Sequence, residues 1–106
     1  PARNIAETII KICEQLNVEK WGTYHFCSNE PTTWFDFANK IVEIAQQYQA
    51  LSCKKIIPIT TIEYPLPAKR PAYSVLNCAK LQQAFGINPC SWQQELPKIV
   101  KQLLFE

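Results

Sequence analysis

The sequence predicts an α/β fold with about four helices and a few short strands. Three observations lead there. Apolar residues recur at helical spacing in four separate stretches, short β-branched or aromatic runs lie between them, and turn residues punctuate the joints. The 106 residues suffice for one domain with a modest core.

From Arg3 to Asn17, the apolar residues Ile5, Ala6, Ile9, Ile12, Cys13 and Leu16 fall on one helical face, opposite Lys11, Glu14 and Gln15. Asn17 is the expected stop. Thr23–Cys27 follows a glycine and reads as a strand, closed by the turn residues Ser28-Asn29-Glu30-Pro31. Thr33, with Asp36 three residues on, caps a second helix from about Trp34 to Tyr48. Its inward stripe is expected to be Trp34, Phe37, Ala38, Ile41, Ile44, Ala45 and Tyr48. Lys54–Ile59 is a β-rich run broken by Pro58, which suits an edge strand, with Lys54 and Lys55 discouraging aggregation. A proline loop follows, then a brief extended run from Tyr73 to Leu76. Asn77 caps a helix through Phe85, and Gly86 stops it in the left-handed conformation. Ser91 and Gln94 form another capping pattern. Behind it come Trp92, Leu96, Ile99, Val100, Leu103 and Leu104 on a last helix that Pro97 should kink or delay.

Composition narrows the function more by exclusion than by suggestion. A hydrophobic fraction of 47%, a charged fraction of 19% and a net charge of +2 are ordinary for a globular protein and argue against nucleic acid as a partner. No apolar run approaches the roughly 18 residues needed to span a bilayer, and no secretory leader pattern opens the chain. The five cysteines Cys13, Cys27, Cys53, Cys78 and Cys90 include no C-x-x-C pair. They read as reduced, mostly core-filling thiols of a cytoplasmic protein and not as a disulfide framework or zinc site. The chain lacks methionine and starts at Pro1 with a helical pattern already under way, so it is expected to be a piece of a longer protein.

Only two glycines are present, Gly22 and Gly86, so neither a Rossmann fingerprint nor a P-loop can be built. His25, the sole histidine, excludes a multi-histidine metal site and is expected to be half-buried and hydrogen-bonded to its neighbours. Most carboxylates fall on polar helix faces, and Glu63 is the acid least explained by that pattern. The remaining chemistry lies in Tyr64-Pro65-Leu66-Pro67-Ala68-Lys69-Arg70-Pro71, where prolines stiffen a loop carrying two adjacent cations. Arginine's planar fork suits a bidentate grip on phosphate oxygens. The competing reading is a pair of solvated loop charges.

Several stretches together resemble the carboxyl-terminal region of the dTDP-4-dehydrorhamnose reductase family, which are extended short-chain dehydrogenases. These are Pro1-Ala2-Arg3-Asn4-Ile5-Ala6, Gly22-Thr23-Tyr24-His25-Phe26, Thr32-Thr33-Trp34-Phe35-Asp36-Phe37-Ala38 and the loop from Pro65 to Pro71. Ser74-Val75-Leu76-Asn77, Lys80-Leu81 and Trp92 continue the likeness. The resemblance implies the small substrate-binding lobe (residues 1–106) of a reductase that makes dTDP-L-rhamnose from dTDP-4-dehydro-L-rhamnose with NADPH or NADH. An amino-terminal Rossmann domain, absent from this chain, would hold the cofactor and the catalytic Tyr-x-x-x-Lys pair. It also implies Arg70 as the contact to the sugar-nucleotide diphosphate, with Lys69, Tyr64 and Ser74 as neighbours and no catalytic, cofactor or metal residue in this piece. An apolar face where the missing domain would pack is expected to be exposed, giving self-association or marginal stability. Two other readings stay open. One is a non-catalytic regulatory subunit related to the methionine adenosyltransferase β subunit; the other is a small α/β interaction module using Trp21 and Trp34.

Overall fold

A computed structural model describes residues 1–106, the side chain of Val18 excepted. The helices are α1 (Ala2–Glu14), α2 (Trp34–Gln46), α3 (Ala79–Phe85) and α4 (Trp92–Leu104), with a 3₁₀ turn at Val18–Lys20. The four expected helices are therefore present. Among the described residues no strand ladder forms, and the β pairing is an isolated parallel bridge between Asn29 and Ser91. A strand exists only when a neighbour takes up its N–H and C=O groups. The runs Thr23–Cys27, Lys54–Ile59 and Tyr73–Leu76 have no such neighbour here. The first still alternates as a strand would, with Tyr24 and Phe26 half-buried and Thr23 and His25 exposed.

The chain divides into two compact units, residues Pro1–Glu30 with Val75–Glu95 and residues Pro31–Ser74 with Leu96–Glu106. In the first, Leu81, Phe85 and Ile87 form the core, and Ile12, Tyr24, Phe26 and Ala84 pack against it. Leu81 is the most deeply buried, at 1% exposed. The Tyr24 and Phe85 rings meet edge to face at 5.2 Å, a favoured aromatic geometry. Cations flank this pair: Lys80 Nζ lies 4.6 Å from the Tyr24 ring and Lys20 Nζ 5.0 Å from the Phe85 ring. Lys80 also donates to the Thr23 carbonyl at 2.9 Å. Gly86 ends α3 at φ 66°, as expected, its N–H reaching the Gln82 carbonyl at 2.8 Å. Gln15 then donates to the orphan carbonyl of Phe85 at 3.1 Å.

Helix α1 turns a different face inward from the one its apolar stripe suggests. Asn4 and Thr8 are buried and Ile12 is half-buried, whereas Ile5 and Ile9 remain 52% and 55% exposed. Thr8 satisfies its hydroxyl on the Asn4 carbonyl at 2.8 Å. Periodicity identifies the stripe that gains by being covered; it does not supply the cover. Asn17, expected as the stop of α1, instead caps the 3₁₀ turn by accepting from the Glu19 N–H.

Two neighbouring segments of this unit are fastened by polar contacts. The Asn29 N–H donates to the Cys90 carbonyl at 2.8 Å, and the Trp92 indole donates to the Glu30 carbonyl at 2.7 Å. The Ser91 hydroxyl donates to the Glu30 carboxylate at 2.9 Å and accepts the Gln94 N–H at 3.4 Å, which includes the expected cap. These bonds hold Glu30 at φ 67°, an uncommon setting for a residue with a Cβ.

In the second unit Thr33 caps α2 by accepting the Asp36 N–H at 3.1 Å, as the spacing predicts. Ile44, Ala45, Leu96 and Val100 are its buried apolar residues. Trp34 and Tyr48, expected on the buried stripe, are exposed; Trp34 meets Phe37 edge to face and Tyr48 meets Phe105. Leu103, also expected inside, is 68% exposed. Helix α4 continues through Pro97 without a delayed start.

The cysteine expectation is corrected in part. All five are free thiols, but none is buried: Cys13 and Cys53 are exposed, and Cys27, Cys78 and Cys90 are half-buried. His25 is exposed instead of half-buried, since the outward positions of its run face solvent. No helix among the described residues is long and apolar enough to cross a membrane.

Candidate functional site

The candidate site is the loop between α2 and the Ser74 end of the second unit. It starts with a turn. The Glu63 N–H donates to the Thr60 carbonyl at 3.1 Å, and the Tyr64 N–H to the Thr61 carbonyl at 3.3 Å. The Glu63 carboxylate reaches back to accept the Thr60 N–H. That is the return arm of a capping box built without a helix behind it. Bonds from the Thr60 backbone and side chain hold the Glu63 carboxyl below its ordinary range. The acid left unexplained by the sequence is therefore a turn lock. The spacing Thr60-x-x-Glu63 carried that signal.

Beyond the lock, Pro65, Pro67 and Pro71 restrict φ on both sides of the cations. Lys69 and Arg70 are exposed, and among the described residues no carboxylate pairs with either. Tyr64 and Tyr73 are 64% and 76% exposed, and Ser74 also faces solvent. Tyr64, Lys69, Arg70 and Ser74 thus share one loop, although no hydrogen bond among the described residues joins any two of them.

Chemically, this is a presented guanidinium and ammonium with phenol and hydroxyl groups on the same segment. Such a set binds an anion of the phosphate class without first breaking an internal ion pair. A loop already held by a turn lock and three prolines also loses less freedom on binding. Among the described residues no group of three metal-ligating side chains converges. The other motif residues have local tasks. The Asn77 side chain accepts the Ala79 N–H at 2.9 Å, but from one residue ahead of the cap position expected for it, since Cys78 is the N-cap of α3; Lys80 closes over Tyr24.

Sequence comparison extends these observations. The family described as RmlD substrate binding domain matches residues 1–105. A dTDP-4-dehydrorhamnose reductase of Aggregatibacter actinomycetemcomitans is 42% identical over 100 residues, which cover 91% of this chain and 34% of that protein. The dTDP-4-dehydrorhamnose reductase of Escherichia coli K12 is 35% identical over 83 residues, covering 77% of this chain and 28% of that protein. The spore coat polysaccharide biosynthesis protein SpsK of Bacillus subtilis is 31% identical over 100 residues, covering 94% and 32% respectively. The chain therefore spans about a third of the length of the curated relatives it matches.

Proposed function

The chain belongs to the RmlD substrate-binding domain family, and from that premise we propose that it is the substrate-binding lobe of a dTDP-4-dehydrorhamnose reductase. The parent enzyme reduces the C4 ketone of dTDP-4-dehydro-L-rhamnose to give dTDP-L-rhamnose in the cytoplasm, for polysaccharide biosynthesis. The observation that carries this reading is the family match over nearly the whole chain, together with an exposed Lys69–Arg70 pair that has no carboxylate partner among the described residues.

In this assignment Arg70 grips the diphosphate of the nucleotide-sugar through its planar fork, and Lys69 adds a second positive charge. Tyr64 and Ser74 offer hydroxyls to the same ligand. Their contribution is orientation: a sugar held by its diphosphate presents its C4 carbonyl in one pose, which removes much of the entropic barrier to reduction. NADPH or NADH supplies the hydride in such a reaction. The residues present do not fit that cofactor. Gly22 stands beside Lys80 and Gly86 stops α3, so no glycine-rich phosphate turn exists in this chain. Cofactor binding and proton transfer therefore fall to a Rossmann domain elsewhere in the parent. Its sheet would also give the strand-prone runs Thr23–Cys27, Lys54–Ile59 and Tyr73–Leu76 a β setting, in line with the expected α/β class. In the first unit, the exposed Ile5, Ile9 and Leu16 are candidates for cover by that domain or by a second copy.

The test is the Arg70→Ala variant of the full-length parent, titrated with dTDP-sugar. Loss of one charge-assisted contact costs about 1–3 kcal/mol, so substrate Kd should rise roughly 5- to 150-fold at 1.4 kcal/mol per decade. NAD(P)H affinity should stay unchanged. An unaltered Kd for the sugar would reduce Arg70 to a surface charge. The isolated chain should neither bind NAD(P)H nor turn over the sugar.

A further inference from the structure

A second chemical feature lies in the first unit and is independent of the sugar-binding assignment. Cys27 and Cys78 are 51 positions apart in sequence, yet their sulfurs are 3.6 Å apart. Both are free and half-buried, so a small reagent has partial access to them. Among the described residues Cys13, Cys53 and Cys90 make no such thiol–thiol contact. We propose that Cys27 and Cys78 are an oxidative modification site, closing reversibly into an intramolecular disulfide by exchange with a small disulfide of the glutathione class.

A disulfide needs the sulfurs at about 2.05 Å, so the pair must close by roughly 1.5 Å. The chemistry balances without further reagents. One Cys thiolate attacks a sulfur of the small disulfide, releasing one thiol and forming a mixed disulfide. The other Cys thiolate then attacks the protein sulfur, displacing the second small thiol. The two protons lost by the cysteines are taken up by the two released thiolates. The protein pair is oxidised by two electrons and the small disulfide is reduced by the same two.

The surroundings set the resting state. Burial raises the Cys27 thiol above its ordinary range, and the hydrogen bond and charge of Cys78 add to the rise, while a backbone hydrogen bond at Leu76 acts in the opposite direction. At neutral pH Cys27 therefore rests as a thiol, and exchange through it accelerates in alkali as its thiolate fraction grows. The bond would close a covalent loop around the whole segment Pro31–Ser74, including Lys69 and Arg70, and would remove freedom from the unfolded chain.

The experiment uses the 106-residue chain, both wild type and with Cys13, Cys53 and Cys90 replaced by serine. Each is incubated with oxidised glutathione at mildly alkaline pH, quenched with iodoacetamide and weighed intact. The triple variant should lose about 2 Da and take up no alkyl group, the signature of a dithiol converted to a disulfide. Trypsin should then yield residues 21–40 joined to residues 70–80, each of which contains one cysteine, Cys27 or Cys78. Dithiothreitol should separate them, and the oxidised triple variant should melt at a higher temperature than its reduced form. The Cys78→Ser variant should stop at a glutathione adduct on Cys27. Alkylation of both thiols with no mass loss would overturn the proposal. So would wild-type crosslinks to Cys13, Cys53 or Cys90 in preference, or equal pairing in the denatured chain.

Discussion

Paired truncations, Phe85→Ala and Ile9→Ala, separate the residues that carry the first unit's core from those that only look apolar in sequence. Phe85 is 5% exposed, lies in the cluster with Leu81 and Ile87, and meets Tyr24 edge to face at 5.2 Å. Truncating a buried phenylalanine costs about 3–5 kcal/mol, cavity included. An edge-to-face pair contributes roughly 0.5–1.5 kcal/mol of coupling, and Lys20 loses its ring partner as well. A domain of this size has about 5–15 kcal/mol to lose, so Phe85→Ala should remove a large share of its stability. Ile9 is 55% exposed on α1, and alanine is the better helix former, so Ile9→Ala should fall within about 0.5 kcal/mol of wild type. Urea titration followed by far-UV circular dichroism reads both as shifts in midpoint. Phe85→Leu, expected to cost about 1 kcal/mol, keeps the comparison readable if the alanine variant does not fold. Equal losses from Ile9→Ala and Phe85→Ala would refute the inward face assigned to α1.

Gly86→Ala places a Cβ at φ 66° with open space around it, so the cost is backbone alone, about 1 kcal/mol by thermal melt. Thr33→Ala removes the acceptor for the Asp36 N–H and should cost about 1 kcal/mol, with Thr33→Ser recovering most of it. The Glu63 lock should depend on pH with a definite sign: its carboxyl is held below the ordinary glutamate range, so its stabilisation is complete above that range and is lost as pH falls through the depressed value. The Thr60 amide resonance should report that loss, and Glu63→Gln should abolish the pH response; an amide shift that persists in the variant would reject the lock. Ile5→Glu with Ile9→Glu should leave the isolated chain folded but weaken its association with the rest of the parent, measured by co-purification of the two parts.

Local chemistry was legible wherever a few adjacent residues settle the outcome. Thr33, Gly86 and Ser91 each act within three or four positions of themselves, and each caps or stops a helix as its spacing predicts; Asn77 bonds the first turn from one residue ahead of the N-cap, Cys78. Glu63 belonged to the same class, because the Thr60-x-x-Glu63 pattern was readable but was not expected outside a helix start. What periodicity does not contain is the identity of the covering surface. Ile5 and Ile9 show it on α1, and Trp34 on α2: all lie on stripes that call for burial, and all are exposed.

Of the candidate site, the residue types and the proline bracing were visible in sequence, and so was the likeness to a known family. That Lys69 and Arg70 have no carboxylate partner among the described residues was not, since pairing depends on which acids the fold brings near. Nor was the approach of Cys27 to Cys78, which sit 51 residues apart. Helix positions, caps and the charged loop were thus settled by neighbours along the chain, whose conformational preferences act over one or two turns. The inward faces, the unpaired cations and the thiol contact were decided by tertiary structure, because burial and proximity depend on surfaces far apart in sequence.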